Sequence, residues 1–97
     1  MRIEILASAQ QDLIEGYGFY EKQEQGLGGY FLDSLFSDID SLQIHAGVHP
    51  LHFRFHRLLS KRFPFAIYYR MRGDSALVFA VLDCRRNPAW VREKLRG

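Results

Sequence analysis

The period of apolar and polar positions changes along the chain, and each change marks an element. Arg2-Ile3-Glu4-Ile5 alternates polar and apolar residues, which predicts a short strand lying in a sheet with strands further on. Ser8 then opens a helix: Ser8 and Gln11 have capping-box spacing, and Ala9, Leu13, Tyr17 and Tyr20 fall on one stripe, with acids and glutamines opposite. Gly16 and Gly18 each weaken such a helix by about 1 kcal/mol relative to alanine, so something must press against it closely enough to offset them. Gly26-Leu27-Gly28-Gly29 ends it. A second helical stripe of Phe31, Leu35, Ile39 and Leu42, widened by Leu32 and Phe36, completes an α-hairpin.

From Leu51 the period becomes two, which predicts a strand with His52, Arg54 and His56 on one side and Leu51, Phe53 and Phe55 on the other. Ser60-Lys61-Arg62 is the next turn. Phe63, Phe65, Ile67, Tyr69 and Met71 then alternate with Ala66, Tyr68, Arg70 and Arg72, with Pro64 near the strand start, where a missing N–H does least harm. Arg72-Gly73-Asp74-Ser75 reads as a hairpin turn, and the continuous apolar run Ala76 to Leu82 as a central strand buried on both faces. Asn87 and Pro88 suit the N-cap and first turn of a last short helix carrying Trp90, Val91 and Leu95. The predicted fold is α+β: a small, mainly antiparallel sheet in the order β-α-α-β-β-β-α, with the N-terminal helical hairpin packed on it.

Ninety-seven residues, 47% of them hydrophobic, fit one domain spanning 1–97 and exclude a multidomain enzyme. The run Ala76 to Leu82 is far shorter than the ~20 residues that cross a bilayer, and Glu4 stands where a signal peptide would be apolar. A cytoplasmic protein that does not enter the membrane is expected. Cys84, the single cysteine, agrees with a reducing compartment. The net charge of +2 conceals a division: residues 1–50 hold two basic residues against eight acids, and residues 51–97 eleven against three. The second half therefore presents a positive field suited to an anionic partner, unless the two halves neutralise each other across the fold.

The four histidines, His45, His49, His52 and His56, lie within twelve residues. Gly47 and Pro50 interrupt any helix that would align them, so histidines exposed or hydrogen-bonded at a strand entrance are expected, with no metal and no cofactor. The Gly26–Gly29 stretch lacks the strand before it and the Lys-Ser or Lys-Thr after it that a phosphate loop needs. Cys84 is expected as a small buried residue at a strand end, although Arg85 and Arg86 beside it would favour a thiolate. The candidate site is the set Arg54, Arg57, Lys61, Arg62, Arg70, Arg85 and Arg86, because arginine forks grip phosphate and neighbouring strands can gather them. A solvated face or a dock for an acidic peptide is the plainer alternative. His52, His56, Tyr68, Tyr69 and Glu93 are candidate acid–base groups without an evident partner in the sequence.

In their order and spacing, several segments resemble the RelE/ParE superfamily of toxins from type II toxin–antitoxin, or plasmid-stabilisation, modules, over nearly the whole chain. They are the opening strand, the hairpin segment from Asp12-Leu13 to Tyr20-Glu21, Gly-Leu-Gly before Phe31, Arg57 ahead of Phe63-Pro64-Phe65-Ala66-Ile67-Tyr68-Tyr69, and the ending Val81-Leu82-Asp83-Cys84-Arg85-Arg86-Asn87-Pro88-Ala89-Trp90. The resemblance implies a RelE/ParE-like fold and a cognate antitoxin whose disordered segment folds around the toxin in a hetero-oligomer. RelE-like members cut messenger RNA on the ribosome. Their chemistry would fall here on Arg57, Lys61, Arg62, Arg70 and Arg85 at the phosphate, with His52 or His56 as base. ParE-like members instead poison DNA gyrase without catalysis. The segment Asn87 to Gly97 contains no Tyr or His, and Trp90 or Val91 stands near the expected acid or base, so the resemblance is more ParE-like than RelE-like. Arg85, Arg86 and Trp90 are the expected target-binding residues. A degenerate, non-toxic binding module is the third reading.

Overall fold

The computed structural model describes residues 1–96. Strand β1 (Arg2–Ile5) leads into helices α1 (Ala7–Gln23), α2 (Leu27–Asp40) and the single turn α3 (Leu42–His45). Strands β2 (Leu51–His52), β3 (Phe55–Leu59), β4 (Phe65–Arg72) and β5 (Ser75–Asp83) follow, and helix α4 (Pro88–Arg96) ends the described chain. One five-stranded sheet has the order β1-β5-β4-β3-β2, with β1 parallel to β5 and the other pairs antiparallel. The expected α+β class and helical hairpin are present. The short β2 and α3 are additional to the expected order.

Helix α1 does two jobs. Its inward stripe is Ala9, Leu13, Gly16 and Tyr20. Gly16 takes the place expected for Tyr17, because a side chain there would collide with α2: a Cβ on Gly16 would lie 2.5 Å from Phe31 Cζ. Gly28 is the reciprocal contact, its hypothetical Cβ 2.7 Å from the Tyr17 carbonyl oxygen. Gly18 has nothing within 4 Å, so close approach explains only the first of the two helix glycines. The hairpin turns at Gly26, whose φ of +90° is natural for glycine, and the Glu21 carboxylate accepts the Gly26 and Gly28 N–H groups.

The second job of α1 concerns the edge of β5. Strand β1 pairs β5 only as far as Ile5↔Val78. Beyond that point Ser8 Oγ donates to the Phe79 carbonyl at 2.6 Å, and Val81 N–H donates to Asp12 Oδ2 at 3.0 Å. The helix thus continues the ladder with side chains and shields a strand edge that would otherwise be open. Ser8 is therefore not the expected cap. Leu6 stands at the N-cap with no side-chain bond, and the Ser8 hydroxyl is drawn to β5 instead.

The sheet separates two apolar clusters. Against the hairpin lie Phe65, Ile67, Tyr69, Ala76, Val78 and Val81, together with Phe31, Leu35 and Ile39 of α2. Four rings knit this side: Tyr20–Phe31, Tyr20–Phe63, Phe31–Phe63 and Phe31–Phe65 have centroids 4.9–5.2 Å apart. On the other face Phe55, Ala66, Tyr68, Ala80 and Leu82 are covered by Val91 and Leu95 of α4. The predicted alternation of β4 holds. In β5 a bulge interrupts it: Tyr68 pairs with Ala80 and Tyr69 with Val78, leaving Phe79 unopposed, so Phe79 and Ala80 both join the α4 side.

The predicted single strand from Leu51 is overturned. Phe53 and Arg54 have φ of +53° and +71° and turn the chain back on itself, so β2 pairs with β3 through Leu51↔His56 and His52↔Phe55. Opposed residues share a face, which puts His52 with Phe55 on the α4 side and His56 on the hairpin side. The expectation that His52, Arg54 and His56 share one face fails because alternation restarts at a turn lacking the glycine that usually announces it.

Candidate functional site

Two recesses of different chemistry flank the sheet. The first is an apolar groove of about 510 Å³ where α1 and α2 meet β1, lined by Ile5, Leu13, Ile14, Tyr17, Leu32 and Phe36, with Gln10 its polar member. Ile14, Tyr17 and Phe36 are 62, 39 and 42% exposed. These side chains widen the helical stripes beyond what the sheet can cover. They form a solvent-facing apolar surface beside β1, which pairs only with β5.

The second recess, of about 210 Å³, lies between the Phe53–Arg54 turn, β3, β4 and the start of α4. His52, Phe53, Arg57, Tyr68, Cys84 and Arg86 line most of it. Arg57 and Tyr68 face one another across the β3–β4 pair. Burial raises the Tyr68 pKa, while the hydrogen bonding and charge of Arg57 act against that rise. Arg86 lies with its guanidinium carbon 4.0 Å from the centre of the Trp90 ring, held by cation–π attraction. Asn87 Oδ1 accepts the Ala89 N–H at 2.7 Å, which is the predicted cap, and Pro88 follows as the first residue of α4. Cys84 is exposed rather than buried, because the chain has left the sheet there and only its N–H is held, by the Pro64 carbonyl. Partial shielding of the thiol in the recess wall pushes its pKa up, with Arg57 opposing, so the thiolate is disfavoured.

The sequence-predicted basic set is divided. Arg57 and Arg86 meet in the recess, with His52 beside them. Arg85 points elsewhere: its Nε and Nη2 donate to the two Asp83 oxygens at 3.0 and 2.8 Å, and this fork holds the Asp83 carboxyl below the ordinary range. Arg85 also lies within electrostatic reach of Tyr20 of the hairpin, so the adjacent arginines serve opposite sides of the sheet end. Arg70 lies 3.9 Å over the Phe55 ring and donates to the Arg54 carbonyl. Lys61 and Arg62 are exposed in the β3–β4 turn, where Ser60 Oγ and Lys61 N–H donate to buried Asp38.

His56 is engaged on the hairpin face, stacked on Tyr69 at 5.0 Å, with its Nδ1–H donating to the His49 carbonyl at 2.7 Å. The Gly47 N–H donates to the Tyr69 hydroxyl oxygen at 2.9 Å, and that hydroxyl bonds His49 Nδ1. Burial, then the charges of His56 and His45, lower the His49 pKa. Among the described residues no three His, Cys, Asp or Glu side chains converge as metal ligands. Nor is any helix among them long and apolar enough to cross a membrane. Sequence reasoning missed the apolar groove, and Tyr68 as the partner of Arg57. The alternation Ala66-Tyr68-Arg70 was the signal for Tyr68, and excess width of the two helical stripes the signal for the groove.

These features define a class: a five-stranded α+β sheet with a two-helix hairpin on one face, an apolar groove beside the hairpin and a basic recess on the other face. No protein-family model matches the chain, and no curated protein matches it. Among solved structures, the chain is similar to one described as the chromosomal ParDE TA system from P. aeruginosa, with a TM-score of 0.71 at 19% identity, over 84% of this chain and 92% of that chain. The shared property is the fold: the α+β sheet with an N-terminal helical hairpin that the sequence predicted is the one observed, and it is like that of the ParDE chain.

Proposed function

We propose that the chain is the toxin of a type II toxin–antitoxin pair, acting in the cytoplasm as a ParE-like inhibitor of DNA gyrase and neutralised by a cognate antitoxin in a hetero-oligomer. The observation that carries this reading is the exposed apolar groove between α1, α2 and β1 in a chain with the fold of a ParDE protein. A soluble chain keeps such a surface for a partner, and an amphipathic segment fits a groove of this kind. The scatter of the basic set favours a binding toxin over a nuclease. Of the seven candidate residues for cleavage only Arg57 and His52 share the recess, while Arg85 is engaged by Asp83 and His56 lies on the opposite face.

Ribosome-dependent cleavage of messenger RNA is the second reading, favoured by one observation: Arg57, Arg86, His52 and Tyr68 line the same recess. A degenerate, non-toxic binding module is the third. Incorporation of labelled thymidine and labelled methionine, followed for minutes after induction in a bacterial host, separates them. Gyrase inhibition stops DNA synthesis first with protein synthesis spared. Early loss of protein synthesis overturns the gyrase reading in favour of the nuclease, and no growth arrest leaves the non-toxic module.

A further inference from the structure

The recess between the Phe53–Arg54 turn and α4 has a charge pattern that specifies its occupant. Arg57 and Arg86 are the Lys or Arg side chains that line it, and no Asp or Glu among the described residues does. Two arginines lining a recess of about 210 Å³ that no described carboxylate lines suit one carboxylate-sized anion. Three of the other cations are already engaged. Arg85 is closed on Asp83, Arg70 is stacked on Phe55, and Arg96 pairs with Glu93 at 3.3 Å. A polynucleotide would need a succession of free cations at the spacing of its phosphates. The remaining wall is apolar, with Phe53 45% exposed at the rim, held there by a left-handed backbone that a bulky residue rarely adopts.

We infer that this recess is a receptor for the carboxylate of an acidic side chain in an extended partner peptide, seated between Arg57 and Arg86 while a neighbouring apolar residue packs on Phe53. The inference rests on the reading above in which a partner protein neutralises the chain. It adds a second contact site on the opposite face of the sheet from the hairpin.

The test uses defined probes on the folded protein at 150 mM salt, followed by the Nε–H signals of Arg57 and Arg86 in NMR spectra. The probes are an end-blocked Leu-Glu-Leu-Glu-Leu peptide, its Leu-Gln-Leu-Gln-Leu counterpart, a six-nucleotide oligothymidylate and inorganic phosphate. The glutamate peptide is expected to shift both signals and to bind at least tenfold more tightly than the other probes. Arg86→Gln, at an exposed position, weakens it at least fivefold, Arg57→Gln does the same, and Arg62→Gln in the distant turn leaves it unchanged. Equal binding of the two peptides, or tighter binding of the oligonucleotide or phosphate, overturns the inference. Growth arrest on induction tests toxicity separately, so either reading can fail while the other stands.

Discussion

The two faces of the sheet solve different problems. On the hairpin face, two helices meet through Gly16 and Gly28, and Tyr20, Phe31, Phe63 and Phe65 interlock between hairpin and sheet. On the other face a single nine-residue helix buries two side chains, Val91 and Leu95, and aromatic rings are also used to hold arginines, Arg70 on Phe55 and Arg86 on Trp90. The same residue types therefore act as core on one side and as supports for charge on the other. A sheet that is anchored on one face can leave part of its second face open to partners without losing the fold.

If this contrast is correct, substitutions on the hairpin face carry the larger effects. Phe31→Ala should lower the unfolding free energy by about 3–5 kcal/mol, against about 1–2.5 kcal/mol for Val91→Ala, in urea titrations. A larger loss at Val91 would reverse the assignment of the main core. Gly16→Ala should destabilise by about 1–3 kcal/mol, because the Phe31 ring has to move. Gly18→Ala, two residues along the same helix and in open space, should stabilise by about 0.5–1 kcal/mol. Two shifts of the same sign would show that close packing at Gly16 does not decide its identity.

On the α4 face, Arg70→Ala should cost about 0.5–1 kcal/mol through the lost contact with Phe55, seen as a small fall in the thermal midpoint. The smallest effect concerns pH. Burial lowers the His49 pKa below its ordinary value of about 6.5, so the unfolded chain takes up this proton first as pH falls. Its contribution is complete above about pH 6.5 and is lost as pH falls through the folded value. Urea midpoints measured between pH 7.5 and 5 should decline more steeply for the parent chain than for His49→Gln. Parallel curves would mean that folding does not lower the His49 pKa.

How much was legible in advance varied with the range of the interactions. The hairpin turn at Gly73, the cap at Asn87 and the two-sided alternation of β4 are local, and each was readable from a few neighbouring residues, whereas the break expected over 26–29 is confined to Gly26, Leu27 to Gly29 being the first turn of α2. The turn at Phe53–Arg54 was not readable. Neither residue favours a positive φ, and pairing with β3 imposes it. Arg85 and Arg86 looked equivalent because they are adjacent in sequence. Asp83 and Trp90, reached in opposite directions, made them different.

Hydrophobic period and turn chemistry, read from the sequence alone, determined the class of fold, the helical hairpin and the two alternating sides of β4, but not the short β2 and α3. Those signals act over one to four residues, within the reach of a single helical turn or strand pair. Tertiary structure alone decided that Ser8 and Asp12 would complete the ladder of β5, that Tyr17 and Phe36 would line a groove instead of the core, and that Arg57 would meet Arg86 across a recess. Each of these depends on which distant backbone is brought alongside, a consequence of sheet order that no local pattern encodes.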